Sequence, residues 1–304
     1  APTSGRISVA GVDVVEEVAL VHERTGYMPQ RFGLYEDLSV IENLRLYADL
    51  RGVGRGANNS ENGDGLEDMF ERLLRFTQLD PFKSRLAGRL SGGMKQKLGL
   101  ACALMGRPDV LLLDEPSVGV DPVSRRELWK MVGELTGGGM AVVWSTAYLD
   151  EAERCEDVLL LNSGRLEFAG KPSQLTRRLK RRSFRIRNVA GDRRRVLAET
   201  LNQPEVCDGV IQGESVRAVL RDGADSGPLE RIAAEHGGQL EQVAPRFEDA
   251  FIDLLGGGPG GRSAIAEKMP MVTLRGETPV ACRNLTKRFG QFVATDNVTF
   301  DVRR

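Results

Sequence analysis

The 304-residue chain holds 42 basic and 43 acidic side chains, a formal net charge of −1, with 41% hydrophobic and 28% charged residues. That balance is ordinary for a soluble globular protein, and it lacks the basic excess that would point to nucleic acid as a partner. The four cysteines (Cys102, Cys155, Cys207 and Cys282) are scattered without a C-x-x-C pair, and His22 and His236 are the only histidines. Together these argue against a zinc site or a disulfide framework and fit a reducing cytosol. No apolar run approaches the roughly 20 residues of a membrane-spanning helix. The opening Ala1-Pro2-Thr3-Ser4-Gly5-Arg6 is not a signal peptide. Any membrane role is therefore expected to be peripheral, through a partner.

In chain order, residues 7–14 read as a strand cut by Gly11 and Asp13. The apolar spacing over 40–50 predicts an amphipathic helix with Ser39 as its N-cap. Residues 52–65 are rich in Gly and Asn and read as a surface insertion, followed by a helix over 66–79. A third helix starts at Ser91. The continuously apolar run 110–113 reads as a buried parallel strand, 123–135 as a helix, and 141–144 as another buried strand. A helix over 147–155 and a strand over 158–161 follow. Strands alternating with helices predict an α/β fold with a mostly parallel sheet.

After Ser173 the texture changes. Strands are predicted at 183–189, 215–220 and 240–243, with helices at 193–201, 229–236 and 247–255. A β-α-β-β-α-β order, the split βαβ, suits this small α+β region. Residues 256–278 begin as a Gly/Pro linker, and the tail from 279 restarts a strand pattern with a turn around Arg288-Phe289-Gly290. The expected division is 1–175, 176–255, a linker at 256–278, and opening strands of another domain at 279–304.

Two short motifs carry chemistry. A buried apolar strand that delivers Asp114 and Glu115 at its carboxyl end suits metal–nucleotide chemistry, with Asp114 in the Mg²⁺ shell and Glu115 polarising a water. Ser91-Gly92-Gly93 before a helix lets backbone approach a phosphate at a helix N-terminus. Alone, each also has an ordinary reading, as a loop after a core strand or as a capped turn.

In combination they resemble the nucleotide-binding domain of ABC transporters. Leu90-Ser91-Gly92-Gly93-Met94-Lys95-Gln96-Lys97 looks like the signature motif, with Met94 in place of the commoner glutamine. Leu111-Leu112-Leu113-Asp114-Glu115-Pro116 looks like Walker B with its catalytic glutamate. Ser117-Val118-Gly119-Val120-Asp121-Pro122 looks like the D-loop, and Tyr27-Met28-Pro29-Gln30 like the Q-loop, whose Gln30 would sense the γ-phosphate and Mg²⁺. The resemblance covers roughly residues 1–175 and implies an incomplete RecA-like sheet with a helical subdomain, binding ATP and Mg²⁺. Within the family, Tyr148-Leu149-Asp150-Glu151-Ala152-Glu153 and the small domain closing on Arg246-Phe247-Glu248-Asp249-Ala250-Phe251 are similar to drug-exporter ATPases. The tail resembles the opening of a second cassette, in which Phe289 would stack on adenine.

The implied protein is a tandem-cassette exporter ATPase, cytoplasmic and peripheral on the inner face of the membrane. It would pair with an integral membrane permease and with a second cassette, in cis or by dimerisation. The alternative is a soluble tandem-cassette protein with a regulatory or translation-associated role. The sequence departs from the family twice. No Walker A is present; Gly256 to Ser263 matches only superficially, with Arg262 for lysine and Pro259 inside. The phosphate loops would lie just before Ala1 and just after Arg304, so the chain alone is expected to be inactive. Ala147 occupies the switch-histidine position, which implies slow hydrolysis at the site built on Glu115.

Overall fold

A computed structural model describes residues 3–31, 33–53, 65–258, 268 and 278–302. The chain divides into two compact units, Ala1–Gln174 and Leu175–Arg304. Most of the insertion expected at 52–65, and most of the linker expected at 256–278 with its superficial phosphate-loop match, lie outside the described residues.

The first unit opens with a small hairpin, β1 (Ser8–Val9) and β2 (Val12–Asp13), and not the longer strand expected over 7–14. The turn falls at Ala10 and Gly11, both with positive φ, while Asp13 ends β2 and accepts from the Val15 amide at 2.8 Å. Helix α1 (Val18–Arg24) leads into β3 (Thr25–Met28). Three helices then pack together: α2 (Val40–Leu50), α3 (Leu66–Thr77) and α4 (Gly92–Ala103). Ser39 caps α2 in a reciprocal box with Glu42, whose carboxylate accepts from the Ser39 amide at 2.8 Å. Val40, Leu44, Phe70, Leu74 and Leu98 form the shared core of these helices. Burying one such leucine contributes roughly 1.5–3 kcal/mol.

The chain returns as β4 (Val110–Asp114), α5 (Pro122–Gly137) and β5 (Ala141–Ser145). Strands pair in the order β3-β4-β5, all parallel, with Met28 opposite Leu113 and Asp114 opposite Ser145. Met28, Leu111, Leu113 and Leu128 join sheet to helices. The expectation that 141–144 is a buried strand is corrected. Only alternate residues of β5 turn inward; Val142 and Trp144 pack on the core while Val143 is exposed. Helix α6 (Leu149–Ala152) is shorter than the 147–155 expected. Strand β6 (Val158–Asn162) does not extend the parallel sheet, because it pairs antiparallel with β7 (Arg165–Gly170). Helix α7 (Pro172–Arg177) spans the division between the units.

The second unit contains β8 (Ser183–Arg187), α8 (Arg193–Leu201), β9 (Val206–Gln212), β10 (Ser215–Leu220), α9 (Gly227–Glu235) and β11 (Gln239–Gln242). The sheet order β11-β8-β10-β9 is antiparallel throughout, which is the split βαβ pattern. Helix α10 (Phe247–Leu254) follows, with Phe247 and Ala250 buried. The tail forms β12 (Val280–Phe289) and β13 (Phe292–Val302), paired with each other in a two-stranded sheet. Its turn lies at Gly290 and Gln291, just past the position expected.

Candidate functional site

Parallel pairing places the carboxyl ends of β3, β4 and β5 side by side, the position where open α/β sheets present ligand-binding groups. Gln30 follows β3, Asp114 ends β4, and Ser145 ends β5. Gln30 Nε2 donates to Glu115 Oε2 at 2.5 Å. Ser145 Oγ donates to Asp114 Oδ1 at 2.6 Å, and the Tyr27 hydroxyl lies 3.5 Å from Asp114 Oδ2. The Glu115 amide donates to the Ser145 carbonyl at 3.0 Å, which carries the ladder one residue beyond the strand. Glu115 itself sits at φ 45°, a left-handed conformation that non-glycine residues adopt at a cost of about 1–3 kcal/mol. The surrounding bonds hold that conformation, and it turns the carboxylate toward Gln30. The structure brings Gln30, Asp114 and Glu115 together and adds Ser145 and Tyr27.

The oxygens gathered here suit Mg²⁺, which takes one or two carboxylates together with phosphate oxygens and water. Asp114 has one oxygen engaged by Ser145, and among the described residues its other oxygen has the long Tyr27 contact. Among the described residues no group of three or more His, Cys, Asp or Glu gathers into a metal site. A Mg²⁺ ion carried in with a nucleotide needs no such group. Asp114 would hold it, directly or through water, with Gln30 beside it.

The signature residues form a second group. Ser91 is the N-cap of α4, its Oγ accepting from the Met94 amide at 3.3 Å. The Met94 side chain packs against the helical core. Asp121 is the N-cap of helix α5, its Oδ1 accepting from the amides of Val123 and Ser124 at 3.0 Å each. Hydrogen bonds from Ser124 and Val123 hold the Asp121 carboxyl below the usual carboxylate range. The two helix starts touch closely. A Cβ on Gly93 would lie 2.2 Å from Ser124 Oγ, and one on Gly92 would lie 3.2 Å from the Gly119 carbonyl oxygen. Glycine is therefore required at 93 by contact with α5, in addition to any phosphate approach.

Phe289 lies in the other compact unit, on the β12–β13 hairpin. Its ring is exposed, with Lys287 Nζ 5.0 Å from the centroid. Ala147 sits in the loop after β5 with no polar side chain to offer. Sequence reasoning missed Ser145, although a hydroxyl residue directly after the apolar run 141–144 was a readable signal.

A parallel sheet flanked by helices, with a carboxylate pair at the end of its central strand, is the architecture of an α/β nucleotide-binding cassette. The ABC transporter family profile matches residues 1–118. The chain is 51% identical over 304 residues to the "Probable multidrug ABC transporter ATP-binding protein YbhF" of Escherichia coli (strain K12), covering 100% of this chain and 51% of that protein. It is 30% identical over 259 residues to the "Nod factor export ATP-binding protein I" of Cupriavidus metallidurans, covering 84% of this chain and 80% of that protein. A solved "Structure of ATP binding subunit of ABC transporter" shares 30% identity with a TM-score of 0.49, covering 59% of this chain and 72% of that one. The chain belongs to the ABC transporter ATP-binding proteins. It spans about half the length of the multidrug relatives it matches.

Proposed function

We propose that this chain is part of an ATP-binding and ATP-hydrolysing subunit that energises an exporter of the drug or multidrug class. The observation that carries the reading is the convergence of Gln30, Asp114 and Glu115 at the carboxyl ends of neighbouring parallel strands. Asp114 would hold the Mg²⁺ of a bound nucleotide. Glu115 orients the attacking water, and Gln30 fixes the Glu115 carboxylate. Ser91 and the α4 N-terminus meet the phosphate of a second ATP, held by the opposite cassette. Relatives named for multidrug transport, Nod factor export and daunorubicin resistance support the exporter class.

The sequence of these 304 residues carries no Walker A motif, and alone they are expected not to hydrolyse ATP. The full-length protein supplies that loop and the second cassette, and it works at the inner membrane face against a permease. Ala147 has no ring nitrogen to bridge phosphate and Glu115, so the Glu115 site is the slower one. In the full-length protein, Ser91→Arg should therefore lower ATPase activity far more than Glu115→Gln; equal losses would reject the asymmetry. Affinity purification should recover an integral membrane protein, and its absence would favour the soluble tandem-cassette role.

A further inference from the structure

Glu151 is fully buried, yet it is not paired in the simple way of a core ion pair. Its Oε2 accepts from Trp144 Nε1 at 3.1 Å and from Thr146 Oγ1 at 2.7 Å. Its Oε1 accepts from Trp129 Nε1 at 3.4 Å and pairs with Arg125 Nε at 3.0 Å. Four donors from α5, β5 and the following loop converge on one carboxylate with no solvent contact. Such a charge is tolerated because every lone-pair direction is met, and removing a donor leaves part of it unsatisfied. Trp129 and Trp144, the two tryptophans of the chain, stack on each other with centroids 4.1 Å apart.

The network reaches the candidate site through a short path. Thr146, fixed by Glu151, accepts from the Tyr148 amide at 3.0 Å, which sets the loop after β5. Thr146 adjoins Ser145, whose hydroxyl and carbonyl hold Asp114 and the Glu115 amide. With alanine at 147, the loop offers Glu115 no side-chain partner of its own there. Orientation of the carboxylates from this side rests on Ser145.

We propose that Glu151 is a positioning residue for the Mg²⁺–ATP site. It clamps Thr146 so that Ser145 stays in register with Asp114 and Glu115, and it links that register to α5 and the stacked tryptophans. The inference rests on the reading of Asp114 and Glu115 as a nucleotide site. Ligand contact with Asp114 is then felt at Ser145, and the bonds of Thr146 and Glu151 connect that point to the tryptophan pair, whose emission reports it.

The test uses the full-length protein with any tryptophan outside these 304 residues changed to phenylalanine, so that emission reports Trp129 and Trp144. Adding Mg²⁺ and ATP should change the emission of the parent. Thr146→Val, which keeps the shape and loses the hydroxyl, should abolish most of that response, and Thr146→Ser should restore it. In a Ser91→Arg background, where the remaining turnover belongs to Glu115, Thr146→Val should lower kcat about tenfold with little change in KM, the scale of one lost hydrogen bond. Glu151→Gln should act in the same direction, and thermal unfolding of the Thr146 variants checks that the fold persists. A Thr146→Val protein with the parent's emission response and turnover would overturn the inference alone, as would a parent that hydrolyses ATP with no emission response. A parent with no ATP hydrolysis at all would overturn the functional reading, and the inference with it.

Discussion

The two units place their carboxylates in opposite settings. In the Leu175–Arg304 unit, Arg217 on β10 and Asp249 on α10 are both buried, joined by Arg217 Nε at 3.0 Å from Asp249 Oδ2. Arg217 also donates to the Ala244 carbonyl at 2.6 Å, and the Arg246 amide donates to Asp249 at 2.8 Å, so the pair is closed on itself. In the Ala1–Gln174 unit, Gln30, Asp114 and Glu115 instead stand at strand ends with solvent access, and Glu115 keeps a left-handed backbone. A closed network stabilises a fold and has no capacity left for a ligand. An open one leaves carboxylate oxygens accessible, which is what a cation site needs.

Because both tryptophans lie in the first unit, their emission follows that unit, while far-ultraviolet circular dichroism follows both. This separates the two in unfolding experiments. Arg217→Ala leaves Asp249 buried against Arg246 alone and should destabilise the second unit by about 4 kcal/mol. The dichroism transition should move and the tryptophan transition should not; a common shift of both would break the comparison. Gly93→Ala forces a Cβ into Ser124 and should cost the first unit about 2 kcal/mol. Ser124→Gly in the same chain should return most of that, since it removes the obstructing atoms. Ser39→Ala removes the α2 cap and should cost about 1 kcal/mol, seen in the tryptophan transition.

The smallest expected effect is a pH dependence in the second unit. Hydrogen bonds from His236, at 2.6 Å, and from Arg195 hold the Glu199 carboxyl below its usual range. A depressed carboxylate contributes stability above its unfolded pKa and loses it as pH falls through the folded value. Glu199→Gln should therefore flatten the acid side of the dichroism stability profile and leave the tryptophan profile unchanged. An unaltered acid limb would assign that loss to other carboxylates.

Legibility in the sequence followed the range of the forces involved. Helix α2 was read with its bounds, because Ser39 and Glu42 form a cap within one turn. Helix α8 was read with its bounds too, from Arg193 to Leu201. Strand β9 was missed because Asp208 and Gly209 lie inside it, and both are poor strand formers. Its pairing with β10 overrides that preference. Strand β3 is four residues long and was hidden among motif residues until β4, more than eighty residues later, paired with it. The placement of β6 failed for a similar reason, since an apolar run does not reveal which neighbour it will find.

By itself, the sequence determined the family, the order of its motifs, and the presence of a carboxylate pair at the end of an apolar strand. Ordered motifs and local caps are properties of contiguous residues, so they survive without coordinates. Only the tertiary structure decided that Ser145 holds Asp114, that Gly93 is pressed against Ser124, and that Glu151 gathers both tryptophans. Each of these is a contact between side chains far apart along the chain. Its geometry exists only after parallel strands and the helix between them have packed.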